Sequence, residues 1–464
     1  MQAKFVELTR LLTYNDYMEQ KHFESLYPET ARDREIDELV GFIKEGNSSQ
    51  LIGLSGSGRS NVLGLLAYNT GVRLRHFPKN HGIVHFVLVN FSEIKMRPYA
   101  EVVKFILLCL DSSLRERGMQ EEYERIDSLF KEALAFNDEL ILAQALKQAI
   151  DYLAVEKKLT VILLFNQFDD YIPQVTGELF TLLRSLRDLA KYRFSAIFSV
   201  TRPLEDTLEP ELLTQFGDFL VGHAIYLALY DMPSVSFRIA YLEKLTGKKL
   251  SDDTKAELIK LTGGHMRLIK NSTEAVLASE NGADLENLLM EQLTVQAALK
   301  SIWRDLTPSE QAYLASGSRE KESPHLNLIG LVREDKITIP LFARALKEGL
   351  FKEYEGSLVY DETTNTIKRG EELISNSLTR AEFRLLRHLL QHPDEIIERE
   401  DVITSVWKED RAIAGISEQA IDQLIFRLRR KIEADPSNPT HILTIKGRGI
   451  KYTPLINLQP ARNL

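Results

Sequence analysis

The chain has 464 residues, a formal net charge of −9, 44% hydrophobic and 27% charged residues, and a single cysteine. That length suits roughly two to four domains, and the acidic balance excludes a protein that coats nucleic acid along its whole surface, although an average can hide one basic module. One cysteine excludes an intramolecular disulfide and fits a reducing cytoplasm, and no apolar run reaches the length that spans a bilayer, so no membrane partner is expected.

Residues 1–30 read as an amphipathic helix and linker ending at Pro28, without a signal-peptide core. The segment Ala31-Arg32-Asp33-Arg34-Glu35-Ile36-Asp37-Glu38-Leu39 follows as an acidic helix start. Leu51-Ile52 then reads as a strand, and Asn61–Ala67 as a helix, with Gly53-Leu54-Ser55-Gly56-Ser57-Gly58-Arg59-Ser60 between them. Strand, glycine-rich turn and helix make the setting of a phosphate-binding loop. Glycines allow backbone angles that a Cβ forbids, successive N–H groups converge on a phosphate, and the helix N-terminus adds partial positive charge. Candidate nucleotide-binding residues are therefore Gly53, Ser55, Gly56, Ser57, Gly58, Arg59, Ser60 and Asn61. Ser60 stands where a Mg²⁺-binding hydroxyl belongs, and Arg59 occupies the position expected of a lysine.

Apolar runs at Ile83–Asn90, Leu159–Phe165, Ser195–Val200 and His223–Tyr230 read as further strands. They alternate with helical patterns at Tyr99–Arg115, Glu121–Leu153 and Gly177–Lys191. This alternation predicts an α/β domain over 31–232, a doubly wound parallel sheet with helices on both faces. Ligands of such sheets bind at the carboxyl ends of the strands. Gly53–Ser60, Asn166–Asp170 and Arg202 all fall at such ends. Cys109 lies in an apolar run and reads as a core residue rather than a reactive thiol. Residues 233–300 read as a helical lid, with helices at Val235–Leu245, Asp252–Leu261, His265–Ala278 and Leu285–Lys300 and a turn at Thr262–Arg267. Residues 301–349 follow a helix, short helix, helix and hairpin pattern, that of a small winged helix.

The segment from Ala31 to Leu39 resembles the G-R-E-x-E-L box that precedes the phosphate loop in AAA+ and STAND NTPases, where it lies near the adenine. The strand ending at Phe165 resembles a Walker B element, with Asn166 at the position of the Mg²⁺-directing aspartate and Gln167 where a carboxylate base would stand. Asp169 and Asp170 are the nearest acids in sequence, open either to stand in for that carboxylate or to lie in a solvated turn. Arg202 resembles the sensor arginine after the fourth strand of STAND ATPases. Gly263-Gly264-His265-Met266-Arg267 resembles both the G-G-H-P lid motif of that family and the G-D-A-R sensor of origin-recognition initiators, which implies Arg267 over the γ-phosphate. The winged helix at 301–349 is similar to the one that follows the lid in STAND proteins and implies a packing element. A guanidinium is wider and flatter than an ammonium, and an amide lacks the carboxylate's charge. Together Arg59 and Asn166 imply a degenerate site that binds ATP or ADP, with Mg²⁺ at Ser60, and hydrolyses little or nothing. No catalytic residue is assigned.

In the C-terminal module, 350–457, short strands at Ser357–Asp361, Thr364–Ile367 and Glu371–Ile374 precede a helix from Leu378 that opens with the capping pair Thr379 and Glu382. Helices at Ile397–Trp407 and Ser417–Ala434 and a hairpin at Ile442–Tyr452 follow, and 458–464 is a tail. The L-T-x-x-E-F-x-L-L start, the x-V-W ending of the second helix, the third helix and the T-x-x-G-x-G wing resemble the OmpR/PhoB-type winged helix throughout, with Ile450 in place of the wing tyrosine. Between Gln423 and Lys451, seven basic residues (Arg427, Arg429, Arg430, Lys431, Lys446, Arg448, Lys451) face two acids (Glu433, Asp435). Such a helix enters the major groove of double-stranded DNA. Gln423 and Arg427 are expected toward bases or adjacent phosphates, and Arg430, Lys431, Lys446 and Arg448 on phosphates.

These features predict an α/β P-loop domain with a helical lid, followed by two winged-helix domains. The function expected is a cytoplasmic DNA-binding transcriptional regulator whose nucleotide module assembles protomers into a homo-oligomer or gates the winged helix, with its signal arriving through a separate protein. Two other readings stay open. One is an active ATPase switch of initiator or defence type acting on DNA. The other is a protein-binding scaffold with a dead nucleotide site.

Overall fold

The computed structural model of the protein describes residues 22–79, 82–136, 138–279, 284–316, 323–351, 358–370, 372–407 and 417–454. The helix expected within 1–30 falls on residues that lie largely outside these, as does the tail at 458–464. Internal packing divides the chain into two units: Met1–Ala298 with Asn327–Phe342, and Leu299–Leu326 with Ala343–Leu464. The stretch 301–349 thus contributes to both.

A five-stranded sheet organises the first unit: β1 (Ser49–Ile52), β2 (Val84–Asn90), β3 (Thr160–Asn166), β4 (Phe194–Val200) and β5 (Ala224–Tyr226), in the order β2-β3-β4-β1-β5. Every pairing is parallel. β4 is buried along its whole length and β2 and β3 nearly so, as expected of strands covered on both faces. From β1 the chain crosses to the far edge at β2 and returns one strand at a time. The register sets the ends of three strands side by side: Ile52 pairs with Val200, Phe165 with Phe198, and Asn90 with Asn166. Gly53, Asn166 and Thr201 therefore emerge at one edge of the sheet. Beneath that edge, Phe165 and Phe168 pack edge-on against Phe198 at 5.1 and 5.0 Å, and Phe91 packs on Phe165 at 5.2 Å. These rings anchor the turn after β3.

Three elements differ from the sequence expectation. The long helix predicted over 121–153 is two helices, Gln120–Phe136 and Glu139–Asp151, because the Asp138 carboxylate caps the second by accepting from Leu140 N and Ile141 N. The strand expected over 223–230 pairs only at Ala224–Tyr226, since β1 leaves the sheet at Gly53 and offers no further partner. The last lid helix divides into Leu285–Glu291 and Leu293–Arg304.

In the second unit, strands Leu358–Asp361, Thr366–Arg369 and Glu372–Leu373 form an antiparallel sheet ahead of helices Arg380–Gln391, Arg399–Trp407 and Glu418–Ile432. A second sheet joins Ile396–Ile397 to the hairpin Ile442–Ile445 and Gly449–Tyr452. Leu385, Leu389, Val402, Leu424, Leu428 and Ile450 share its core. The substitution of isoleucine at the wing position is thereby explained: Ile450 is 2% exposed and faces inward. The capping box forms as expected, with Thr379 Oγ1 accepting from Glu382 N and Glu382 Oε2 accepting from Thr379 N.

Glu382 is fully buried, and its second role is to receive Lys431 Nζ at 2.6 Å. Removing one partner of a buried pair leaves the other charge uncompensated. Glu382→Ala should destabilise the second unit by about 3 kcal/mol, and Thr379→Ala by about 1 kcal/mol. Both tryptophans of the protein, Trp303 and Trp407, lie in this unit. A urea titration followed by tryptophan fluorescence therefore reads the surroundings of Trp407 in this unit and of Trp303 at its edge, and equal midpoints for the two variants would contradict this ranking.

Candidate functional site

β1 runs into the loop Gly53–Gly58 and then into the helix Arg59–Tyr68. Gly56 (φ +85°) and Gly58 (φ +112°) adopt angles that side chains resist. The loop turns three consecutive carbonyls toward groups distant in sequence. Ser55 O faces His265 Nε2 at 3.1 Å, Gly56 O accepts from Arg267 N at 2.9 Å, and Ser57 O accepts from Arg32 Nη2 at 3.0 Å. Arg267 also covers Gly56, where a Cβ would lie 2.8 Å from its Cβ and Nε. The start of the lid helix Met266–Ala278 is thus fastened to the phosphate loop.

Arg32 is 1% exposed, and its guanidinium also donates to Ala228 O. Its neighbour Glu35 accepts from Ala228 N, and Asp231 accepts from Arg32 N. The box at 31–39 therefore ties the loop to the chain after β5. His265 is fully buried. Burial, reinforced by the Arg267 cation, lowers its imidazole to about 3. Nδ1 accepts from Leu268 N at 3.4 Å, so the neutral ring carries its proton on Nε2 and donates to Ser55 O.

Arg59 leaves the loop sideways. Its Nη1 donates to Asp169 Oδ2 at 2.9 Å, with side-chain exposures of 9% and 26%. Asp169 Oδ1 accepts from Thr201 N and Oγ1 at 2.9 and 3.0 Å. One carboxylate so links the loop helix, the turn after β3 and the end of β4, next to the half-buried Arg202. Ser60 Oγ donates to Asn166 Oδ1 at 2.8 Å, and Asn166 Nδ2 to Asn90 Oδ1 at 3.3 Å. Asn61 donates through Nδ2 to Tyr27 Oη at 3.2 Å, beside Gly58. Arg32 and His265 are the residues of this cluster that sequence reading does not single out, whereas Asp169 falls within the strand-end stretch Asn166–Asp170. Arg32 and His265 sat inside recognised motifs, while the role of Asp169 depends on the strand register that sets it beside Thr201.

A separate cluster, Asp33, Asp37 and His76, brings its ligand atoms within 4.8 Å of one another. Arg75 already forks onto both oxygens of Asp33, and Asp37 lies 2.7 Å from His76 Nδ1, so the cluster is an ion-pair network. Cys109 is half-buried, and burial pushes its thiol up to about 12, which suits an inert residue.

In the second unit, the long helix Glu418–Ile432 presents Gln419, Gln423 and Phe426 to the surface, and the hairpin turn presents Lys446 and Arg448. Arg427 and Lys431, expected at bases or phosphates, point inward instead. Both approach Glu382, Lys431 at 2.6 Å and Arg427 at 3.8 Å. Arg430 is half-buried. Arg429 fastens the helix to the hairpin through Ile442 O and Thr444 Oγ1. Phe426 is 50% exposed on the outer face.

Residues 373–452 match the family described as transcriptional regulatory protein, C terminal. Over 100 residues the chain is 39% identical to the transcriptional regulatory protein AfsQ1 of Streptomyces coelicolor, covering 21% of this chain and 42% of that protein. Over 98 residues it is 37% identical to the alkaline phosphatase synthesis transcriptional regulatory protein SphR of Synechococcus elongatus, covering 21% of this chain and 36% of that protein. The chain thus spans less than half the length of either relative. The second unit carries an OmpR/PhoB-type winged helix. Among solved structures, the Walker-type ATPase PABY2304 of Pyrococcus abyssi aligns with a TM-score of 0.40 at 15% identity, over 77% of this chain and 97% of that one. The ORC1 protein of Aeropyrum pernix in complex with DNA aligns at 0.30 and 14%, over 69% and 93%.

Below its unfolded value near 6.5, His265 takes up a proton on unfolding that the folded protein excludes down to about 3. Its stabilisation is complete above about pH 6.5 and is lost as pH falls toward 3; the buried His85, also held low by burial, acts in the same direction. His265→Asn keeps a capping acceptor for Leu268 N without a titrating group. Calorimetry of the full chain from pH 7 to pH 4.5 should show a shallower fall in the Tm of the first unit for this variant, and parallel slopes would refute the assignment.

Proposed function

We propose that this chain, which joins an OmpR/PhoB-type winged helix to a P-loop sheet, is a DNA-binding transcriptional regulator whose first unit binds a nucleotide as a switching ligand rather than as fuel. The observation that carries this reading is the state of the loop's two chemical residues. Arg59 is held by Asp169, and Ser60 by the amide of Asn166. A cradle for phosphate remains, while the carboxylates that would direct a metal and activate water are missing from their places. Gly53 to Ser60 would hold the phosphates, with Arg202 and Arg267 at its rim. Occupancy would be felt by the lid, because His265 and Arg267 grip the same loop. A nucleotide-driven change in the lid could assemble protomers or release the winged helix. The cytoplasm is the compartment that suits DNA binding and a lone reduced cysteine.

At the DNA, Gln423 and Phe426 would meet base edges, with the phenyl ring suited to a thymine methyl, and Lys446 and Arg448 would meet phosphates. Arg430 would reach a phosphate from the end of the helix. Arg427 and Lys431 would act on the fold through Glu382.

The test is duplex binding by fluorescence anisotropy across a salt series, with phosphate release from ATP followed alongside. Lys446→Ala with Arg448→Ala should weaken binding to all duplexes and lower the log–log salt slope by about 1 for each charge removed. Phosphate release should stay at background. Binding that ignores salt would favour the scaffold reading, and steady turnover would favour the active ATPase.

A further inference from the structure

The P-loop fold implies Mg²⁺, and the residues here can be tested against it. A loop-bound Mg²⁺ takes a Ser or Thr hydroxyl, phosphate oxygens and the influence of a carboxylate at a strand end, in a shell of oxygen ligands. Here the strand-end residue is Asn166, its Oδ1 accepting from Ser60 Oγ at 2.8 Å and its Nδ2 donating to Asn90 Oδ1. At this place the amide turns a neutral oxygen toward Ser60, already engaged by its hydroxyl, and supplies no negative charge. The acids around it are engaged elsewhere. Asp169 holds Arg59 and Thr201, Asp170 holds Lys95 at 3.0 Å, and Glu93 accepts from Asn90 Nδ2 at 3.1 Å. The metal position is neutral, and these residues do not fit the ion.

Positive charge is gathered at the loop instead. Arg32 reaches Ser57 O, Arg267 lies over Gly56, and Arg59 starts the loop helix. A guanidinium has donors on more than one edge. Arg59 can therefore keep Asp169 on Nη1 and offer its remaining N–H groups to a phosphate, which makes Asp169 a positioning residue for it. Arginine matches phosphate oxygens in a planar, two-pronged manner that an ammonium cannot. A metal-free polyphosphate carries more negative charge than its magnesium complex, and so suits a site where arginines gather and the nearby carboxylates are already engaged.

We propose that the loop binds a nucleoside di- or triphosphate as its metal-free anion, with arginine guanidinium groups taking the charge-neutralising place of Mg²⁺. This inference rests on the nucleotide reading above. It also gives that reading a chemical cause, since a phosphate chain without a metal has lost a principal source of transition-state charge stabilisation.

The test is isothermal titration of the full chain with ATP and with ADP, once in excess EDTA and once in excess Mg²⁺. The expected result is binding in EDTA as tight as in Mg²⁺, or tighter. A loss of tenfold or more in EDTA overturns the metal-free inference and leaves the nucleotide reading standing. Absence of binding in both buffers overturns the two together. In Asn166→Asp the restored carboxylate should repel the bare anion, weakening binding in EDTA by tenfold or more, with recovery on adding Mg²⁺. The same affinity in both buffers for this variant would contradict the role given to Asn166. The wild-type comparison decides the proposal even where the variant fails to fold.

Discussion

Three neighbouring carbonyls of the phosphate loop are bound by groups from far along the chain, and the first unit is built so that these bonds can form. Ser55, Gly56 and Ser57 are met by His265, Arg267 and Arg32. Each bond replaces water at a buried or half-buried carbonyl, and an unmade bond there would cost more than a made one contributes. The cost of failure is greatest at Arg32, whose buried charge stays folded only because Ser57 O, Ala228 O and Glu35 surround it. The loop, the acidic box and the first turn of the lid helix therefore hold one another in place.

The same economy appears at Asp169. Its carboxylate fixes Arg59 and caps the end of β4, so the residue standing for the usual lysine is tied into the fold. Sequence reading had found the loop, the strand that carries Asn166 and the order of strands and helices, because continuous apolar runs and glycine spacing are local signals. It does not reveal the bonds that Asp169 makes. Those depend on β4 lying between β1 and β3, a pairing set across more than a hundred residues of chain. The split of the helix at Asp138 and the short β5 were missed for related reasons, one from a cap inside a helical pattern and the other from the length of a partner strand.

In the winged helix the lesson concerns charge. Counting basic residues singles out the helix and the hairpin, but not which of their cations lie at the surface. Glu382, buried by its capping role, draws Lys431 and Arg427 inward, and Arg429 is drawn to the hairpin. The side chains at the surface include Gln419, Gln423, Phe426 and the two cations of the wing turn. The helical period places Leu424, Ile425 and Leu428 in the core, and that part was legible from the sequence alone. Which cations face solvent was not, because it turns on one buried carboxylate contributed by another helix.

The central claim is that occupancy of the phosphate loop is felt at the DNA-binding helix without hydrolysis. The most direct measurement is the affinity of the full chain for a mixed-sequence duplex, at fixed salt and in EDTA, with and without saturating ADP. Coupling between two sites in one protein is typically worth about 5-fold or more in affinity. The account predicts a shift of at least that size, matched by an equal shift in ADP affinity when duplex is present. Verified ADP binding with an unchanged duplex affinity would contradict it.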